Sequence, residues 1–138
     1  MAQAEMREKF QRARVARLAT VDENAQPHLV PVCFELVEDR IVSVVDAKPK
    51  STPELRRLAN IRAHPRVSLL VDEYDDDWTR LWWVRADGAA RVVESGADSE
   101  AAVAALTAKY PQYEEQPPGG PVVEVTVDRW VGWAYRDD

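Results

Sequence analysis

The 138-residue chain contains one cysteine and two histidines. Cys33 has no second thiol with which to close an intramolecular disulfide. His28 and His64 stand apart from it and from each other, so no spacing suits a zinc site. A Ser-His-Asp triad would have to rest on one of these histidines without other support. No G-x-G-x-x-G follows a strand-like run, and G-x-x-x-x-G-K-[ST], H-E-x-x-H and G-x-S-x-G are missing. The common phosphate loops, the zinc-hydrolase helix and the hydrolase nucleophile turn are thereby excluded. Positive charge is in deficit, with 18 Lys and Arg against 24 Asp and Glu, which argues against a nucleic-acid partner. No apolar run approaches membrane-spanning length. Glu5, Arg7, Glu8 and Lys9 occupy the place where a secretory leader needs apolar residues. The expectation is a cytoplasmic protein with neither nucleic acid nor membrane as partner.

Hydrophobic residues make up 46% of the chain, enough for a core, and the length suits a single domain over 1–138. Met6, Phe10 and Ala13 at helical spacing predict an N-terminal helix, with Glu5–Lys9 and Glu8–Arg12 as i,i+4 pairs. "VARLATVD" reads as a strand, "ENAQP" as a turn and "PHLVPVCFELVE" as one second strand with Val30, Val32, Phe34 and Leu36 on its apolar face. "IVSVVD" returns antiparallel, making the first half a meander. A helix from Pro53 stops at His64-Pro65, and "RVSLLVDE" is the next strand. "TRLWWVRADGAARVVE" is a long strand or a hairpin, with Asp87-Gly88 as bulge or turn. A helix capped by Asp98 or Ser99, a polar Pro/Gly loop over 111–121 and a strand alternating through Val123, Val125 and Val127 complete the chain. Strands dominate and helices do not alternate regularly with them. The fold class is therefore mainly β, a small antiparallel barrel with peripheral α-helices.

Two features say that this barrel is neither sealed nor solitary. Pro27 and Pro31, four apart in one strand, turn their backbone nitrogens toward the same neighbour and neither can donate. That edge is either a plain edge strand facing water or a place for a flat ligand. Trp82 and Trp83 point to opposite faces if "RLWWVR" is a strand. One fills the barrel and the other needs cover, from a neighbouring helix or a second subunit; alternation alone does not say which is which.

Positive charge gathers at one place, "KPKSTPELRR". Ser51 and Glu54 have capping-box spacing and Pro53 suits a first helical turn. A helix start presents free N–H groups, and Lys48, Lys50 and Arg56 add charge beside them. The segment reads as a phosphate-sized anion site or as a capped helix with a solvated basic loop. His28 is a ligand hydrogen-bonder or a barrel-end histidine, His64 complements a helix C-terminus, Cys33 is a small mid-strand hydrophobe, and "DEYDDDW" is a solvated acidic turn lacking the calcium loop's glycine.

These residues resemble a known family. "LATV", "PHLVPV", "NI…HPRVSLLV" and "DGAARV" are similar to the pyridoxamine-phosphate-oxidase-like split β-barrel superfamily, a Greek-key type barrel that binds flavin mononucleotide. "DAKPK" and "DWTRLWWVR" resemble the actinobacterial branch of deazaflavin-dependent oxidoreductases that use coenzyme F-420, an 8-hydroxy-5-deazaflavin. The resemblance implies a homodimer with cofactor sites at the subunit interface and a small-molecule substrate. It implies a ring along the Pro27–Val32 strand, touching His28, Val30, Pro31 and Val32, and a phosphate at Lys48, Lys50 and Ser51 with Arg56 nearby. Trp78 and Trp82 would reach the site, and His28, Tyr74 or water would supply a proton. FMN is the alternative cofactor. An FMN-dependent oxidase and a non-catalytic flavin, haem or F-420 binder of the same fold are the alternative functions. The stretch Ser51–Glu54 departs from the branch, whose members often carry a further basic residue after "KPK".

Overall fold

The computed structural model describes residues 1–45 and 52–135, with backbone only for 52–55. Helix α1 (Gln3–Arg12) is followed by β1 (Ala16–Val21), β2 (Pro27–Val32), β3 (Glu35–Val37) and β4 (Arg40–Val44). Then come α2 (Thr52–Ala63), β5 (Arg66–Glu73), a single 3-10 turn (Trp78–Arg80) and β6 (Trp82–Val93). Helices α3 (Ala97–Lys109) and α4 (Gln112–Glu115) precede β7 (Val122–Ala134). All seven strands form one antiparallel sheet in the order β2-β1-β5-β6-β7-β4-β3. Among the described residues no helix is long and apolar enough to cross a membrane.

The predicted single strand over 27–38 is two strands, and the predicted meander does not form. β2 and β3 are the two opposite edges of the sheet, joined only by Cys33 and Phe34. The chain itself spans the split in the barrel. Cys33 is exposed in this break rather than packed within a strand. Tyr110, at the end of α3, stitches the gap. Its hydroxyl donates to the Arg14 carbonyl at 2.9 Å and accepts from the Phe34 N–H at 3.1 Å. These groups cannot reach a ladder partner across the split, so the phenol satisfies them.

Alternation sorts the inner face. Ala16 and Leu18, Val67, Leu69 and Val71, and Val84, Ala86 and Ala90 point inward and are buried together. Helix α1 closes part of this core, because Phe10 inserts between Phe34, 4.9 Å away centre to centre, and Trp130, edge-on at 5.3 Å. Of its predicted pairs, Arg12–Glu8 forms at 3.1 Å, while Lys9 turns over the Trp82 ring at 4.9 Å. Helix α2 adds Leu58 and Ile61, and its Asn60 amide donates to the buried Thr20 hydroxyl at 3.1 Å.

β6 is one continuous strand rather than a hairpin, and Asp87-Gly88 is a bulge against β7: Asp87 pairs with Arg129 but Gly88 with Val127. A side chain at Gly88 would overlap the Thr126 carbonyl. The extra residue, Asp128, reverses the facing of β7. Val123, Val125 and Val127 point into the core as their alternation predicts; beyond the bulge it is Trp130 that packs inward, and Trp133 faces out. Helix α3 begins after Gly96 (φ 101°), which stands at the N-cap; neither Asp98 nor Ser99 caps it. Asp98 instead binds the Arg91 guanidinium at 2.8 Å. Part of the 111–121 loop is helical, as α4.

Candidate functional site

Among the described residues the outward face of the sheet is dressed on one half only. Helix α3 lays Ala102, Leu106 and Tyr110 on Val42, Val93 and Val122. Over β2, β1, β5 and the first half of β6 the same face is bare. There Leu29, Leu70, Leu81, Trp83 and Trp133 line an open apolar groove of about 520 Å³ with Tyr74 at its rim. Leu29 is 68% exposed and Trp133 43%. On β1, β2, β6 and the end of β7 the groove takes odd-numbered residues, since period-two alternation brings 29, 83 and 133 to one side once the bulge has reset β7, while β5 contributes the even-numbered Ser68 and Leu70.

One wall of the groove is the free edge of the sheet. Pro27 and Pro31 pair with Val21 and Arg17 of β1. Because neither proline can donate, the ladder to β1 runs through His28, Val30 and Val32. The Leu29 N–H and the carbonyls of Pro27, Leu29 and Pro31 therefore point to the unpaired side. The expected proline-broken edge is present, and it borders the apolar groove.

The predicted site residues separate onto different surfaces. Pro31 faces outward and is exposed, whereas Val32 is buried in the core and Val30 packs against it. His28 also lies on the inner side, with Nε2 buried and 3.5 Å from Asp22 Oδ2, beyond a good hydrogen bond. The Asp22 carboxyl is held below the usual range, chiefly by the Gln26 backbone N–H and also by Asn24 and His28. Trp82 is the inward tryptophan. It packs against the core and donates to Glu73 at 2.9 Å, and its edge reaches the groove. Trp83 is the outward one. Trp78 is 61% exposed on the 3-10 turn, where its indole N–H meets the Tyr74 hydroxyl at 3.4 Å. Arg56 is exposed on α2. Lys48, Lys50, Ser51 and the side chain of Glu54 lie outside the described residues, as does the basic entrance they form.

Sequence reading missed Leu29, Leu70, Trp83 and Trp133 as a set. The signal was available for Leu29, which shares the odd face of its strand with the two prolines, but not for Trp133, whose facing depends on the bulge. Behind the groove residues Ser68 and Arg85, Asp87 accepts from Arg85 at 2.9 Å and from the Ser68 hydroxyl at 2.7 Å. Burial pushes the Asp87 carboxyl up, but Ser68, Arg85 and Arg129 outweigh it and hold it below its ordinary value. Among the described residues no cluster of His, Cys, Asp or Glu is placed to hold a metal. The groove is an apolar wall with backbone hydrogen-bonding groups along one side, suited to a flat conjugated ring whose edge needs donors and acceptors.

Comparison with known proteins agrees with this architecture. A conserved hypothetical protein of Mycobacterium tuberculosis superimposes with a TM-score of 0.80 at 24% identity, over 99% of this chain and 86% of that one. An FAD-binding protein of Mesorhizobium loti superimposes with a TM-score of 0.73 at 19% identity, over 96% and 94% of the two chains. Both likenesses are of fold. In sequence, 57 residues are 35% identical to a 5a,11a-dehydrotetracycline/5a,11a-dehydrooxytetracycline reductase of Streptomyces rimosus. That match takes in 41% of this chain and 39% of the reductase, so the chain matches about two fifths of that relative's length. The family model for pyridoxamine 5'-phosphate oxidase matches residues 2–134. With nearly the whole chain matched, its mainly β split barrel and its half-bare sheet face are those of a member of the pyridoxamine 5'-phosphate oxidase family.

Proposed function

We propose that this protein is an oxidoreductase that uses coenzyme F-420 to reduce a small conjugated molecule, working as a homodimer with two sites at the subunit interface. The observation that carries the reading is the apolar groove beside the unpaired β2 edge. Its wall of Leu29, Leu70, Trp83 and Trp133 fits a planar ring, and the edge carbonyls with the Leu29 N–H fit the ring's polar rim. The "DAKPK" and "DWTRLWWVR" segments support F-420 over FMN, and the reductase similarity supports reduction of a small conjugated molecule.

When bound, the deazaflavin supplies a carbon that donates hydride, and the chain's own residues do the rest. Lys48, Lys50 and Ser51, with Arg56, would hold its phosphate through charge-assisted hydrogen bonds. The groove wall would exclude water and position the acceptor, and that placement would be the main gain. Of the two side chains considered as proton donors, Tyr74 stands at the groove while His28 faces the other side of β2. Tyr74 or water therefore supplies the proton that follows. A second copy covers the bare half of the sheet, burying the exposed indole and leucine.

Titration of the purified protein with F-420 and with FMN tests the reading. F-420 is expected to bind, and its reduced form to be reoxidised steadily by an acceptor. Lys48→Ala with Lys50→Ala should weaken F-420 at least about tenfold while leaving the fold intact. Preferential FMN binding would point to the oxidase alternative. Tight binding of either group with no turnover of any acceptor would point to a carrier.

A further inference from the structure

A second groove, of about 380 Å³, opens beside the first and shares Arg17, Asp72, Glu73 and Trp82 with it. Its character is opposite. Lys9 and Arg12 from α1, Arg14 from the following linker and Arg17 from β1 give it four cations against the two carboxylates of Asp72 and Glu73. This positive excess stands on a chain whose formal charge is −6, so the groove is a local departure from the field of the whole molecule. Both carboxylates are engaged, Asp72 by Arg17 at 3.3 Å and Glu73 by the Trp82 indole N–H at 2.9 Å. Arg14 turns away to the Lys109 carbonyl at 2.9 Å and stacks on Tyr110.

Lys9 and Arg12 are left as the cations free to receive a ligand. The Lys9 ammonium stands on the face of the Trp82 ring at 4.9 Å, with no carboxylate ion pair among the described residues. Arg12 meets only Glu8, in a pair whose side chains are 76% and 68% exposed. Such an exposed pair is weak and yields to a better placed anion. The negative end of the α1 dipole accounts for a cation at each of these positions. It does not account for their convergence on a cavity floored by an indole and continuous with the apolar groove.

We propose that the joined grooves take a planar aromatic or conjugated acid, its ring on the apolar wall beside Trp82 and its carboxylate, or an equivalent anionic group, between Lys9 and Arg12. As a statement about the substrate this rests on the oxidoreductase reading; as a statement about binding it stands alone. The test compares 2-naphthoate with its uncharged isostere 2-naphthamide by titration calorimetry on the full chain, for wild type and for Lys9→Ala with Arg12→Ala. Wild type should bind the acid about tenfold more tightly than the amide, with the preference shrinking at high salt. The double variant should lose the preference while keeping its amide affinity, its urea midpoint and its F-420 affinity. Equal binding of acid and amide, no binding of the acid, or a variant that keeps the preference overturns the proposal. A wild type that prefers the acid but fails to bind F-420 would sink the cofactor reading and leave this one standing.

Discussion

One face of one sheet meets two fates in this protein. Around β4 and the start of β7, helix α3 buries it: Leu106 and Val122 lose nearly all solvent contact and Ala102 packs beside them. Around β2, β1, β5, the start of β6 and the end of β7 the face is also apolar, with three leucines and two outward indoles, yet no element among the described residues lies over it. Charges are handled differently too. Under α3 the carboxylate of Glu124 is buried between Arg91, at 2.9 Å, and Arg40, at 3.7 Å. On the bare half Asp87 keeps Arg85 and Ser68 at the margin of an open groove. The covered half closes the fold within the chain. The bare half is completed from outside, by ring-shaped ligand and second copy in the reading given above.

The comparison can be broken at four points. Leu106→Ala on the covered half should cost about 2–5 kcal/mol in urea unfolding, because it empties a sealed contact; a cost below about 1 kcal/mol would mean that α3 is not part of the core. Gly88→Ala should cost about 1–3 kcal/mol, since the bulge has no room for a Cβ beside Thr126. The same variant should change the near-ultraviolet signal of Trp130 and Trp133, whose facing the bulge sets. Leu29→Asp with Trp133→Asp should leave each chain folded, because both side chains are exposed, but should halve the mass seen by sedimentation. An unchanged dimer would place the interface elsewhere.

The smallest effect concerns acid. The Asp87 carboxyl lies below its ordinary 3.8 in the folded protein. The unfolded chain therefore binds that proton first as pH falls. The contribution is whole above the ordinary value and is lost as pH drops through the lowered one. Asp87→Asn should flatten the acid limb of the stability curve by less than about 1 kcal/mol, measured from neutral pH down to acid by urea titration. An identical acid limb would show that Arg85 and Ser68 do not stabilise the charged form.

Most of the elements were readable because their signals are local. The helix at Met6 and Phe10, the strands through Leu69 and Val125, and the stop at His64-Pro65 each follow from side-chain period or from a proline within a few residues. The edge character of β2 was readable for the same reason, since two missing N–H groups belong to the chain whatever surrounds it. The split between β2 and β3 was not readable. "PHLVPVCFELVE" keeps an even apolar face throughout, and only the closing of the barrel forces the chain to break at Cys33 and cross from one edge to the other.

The sequence by itself determined a mainly β fold, one strand unable to pair on both sides, a run of cations ahead of α2 and an indole that had to face outward. Tertiary structure alone decided that the outward indole is Trp83 and that Trp133 joins it while Trp130 turns inward. The physical reason for the exchange of Trp130 and Trp133 is the bulge at Gly88. One unpaired residue changes no local propensity, but it exchanges the two faces of β7 beyond Asp128 and so sets which side chains line the groove.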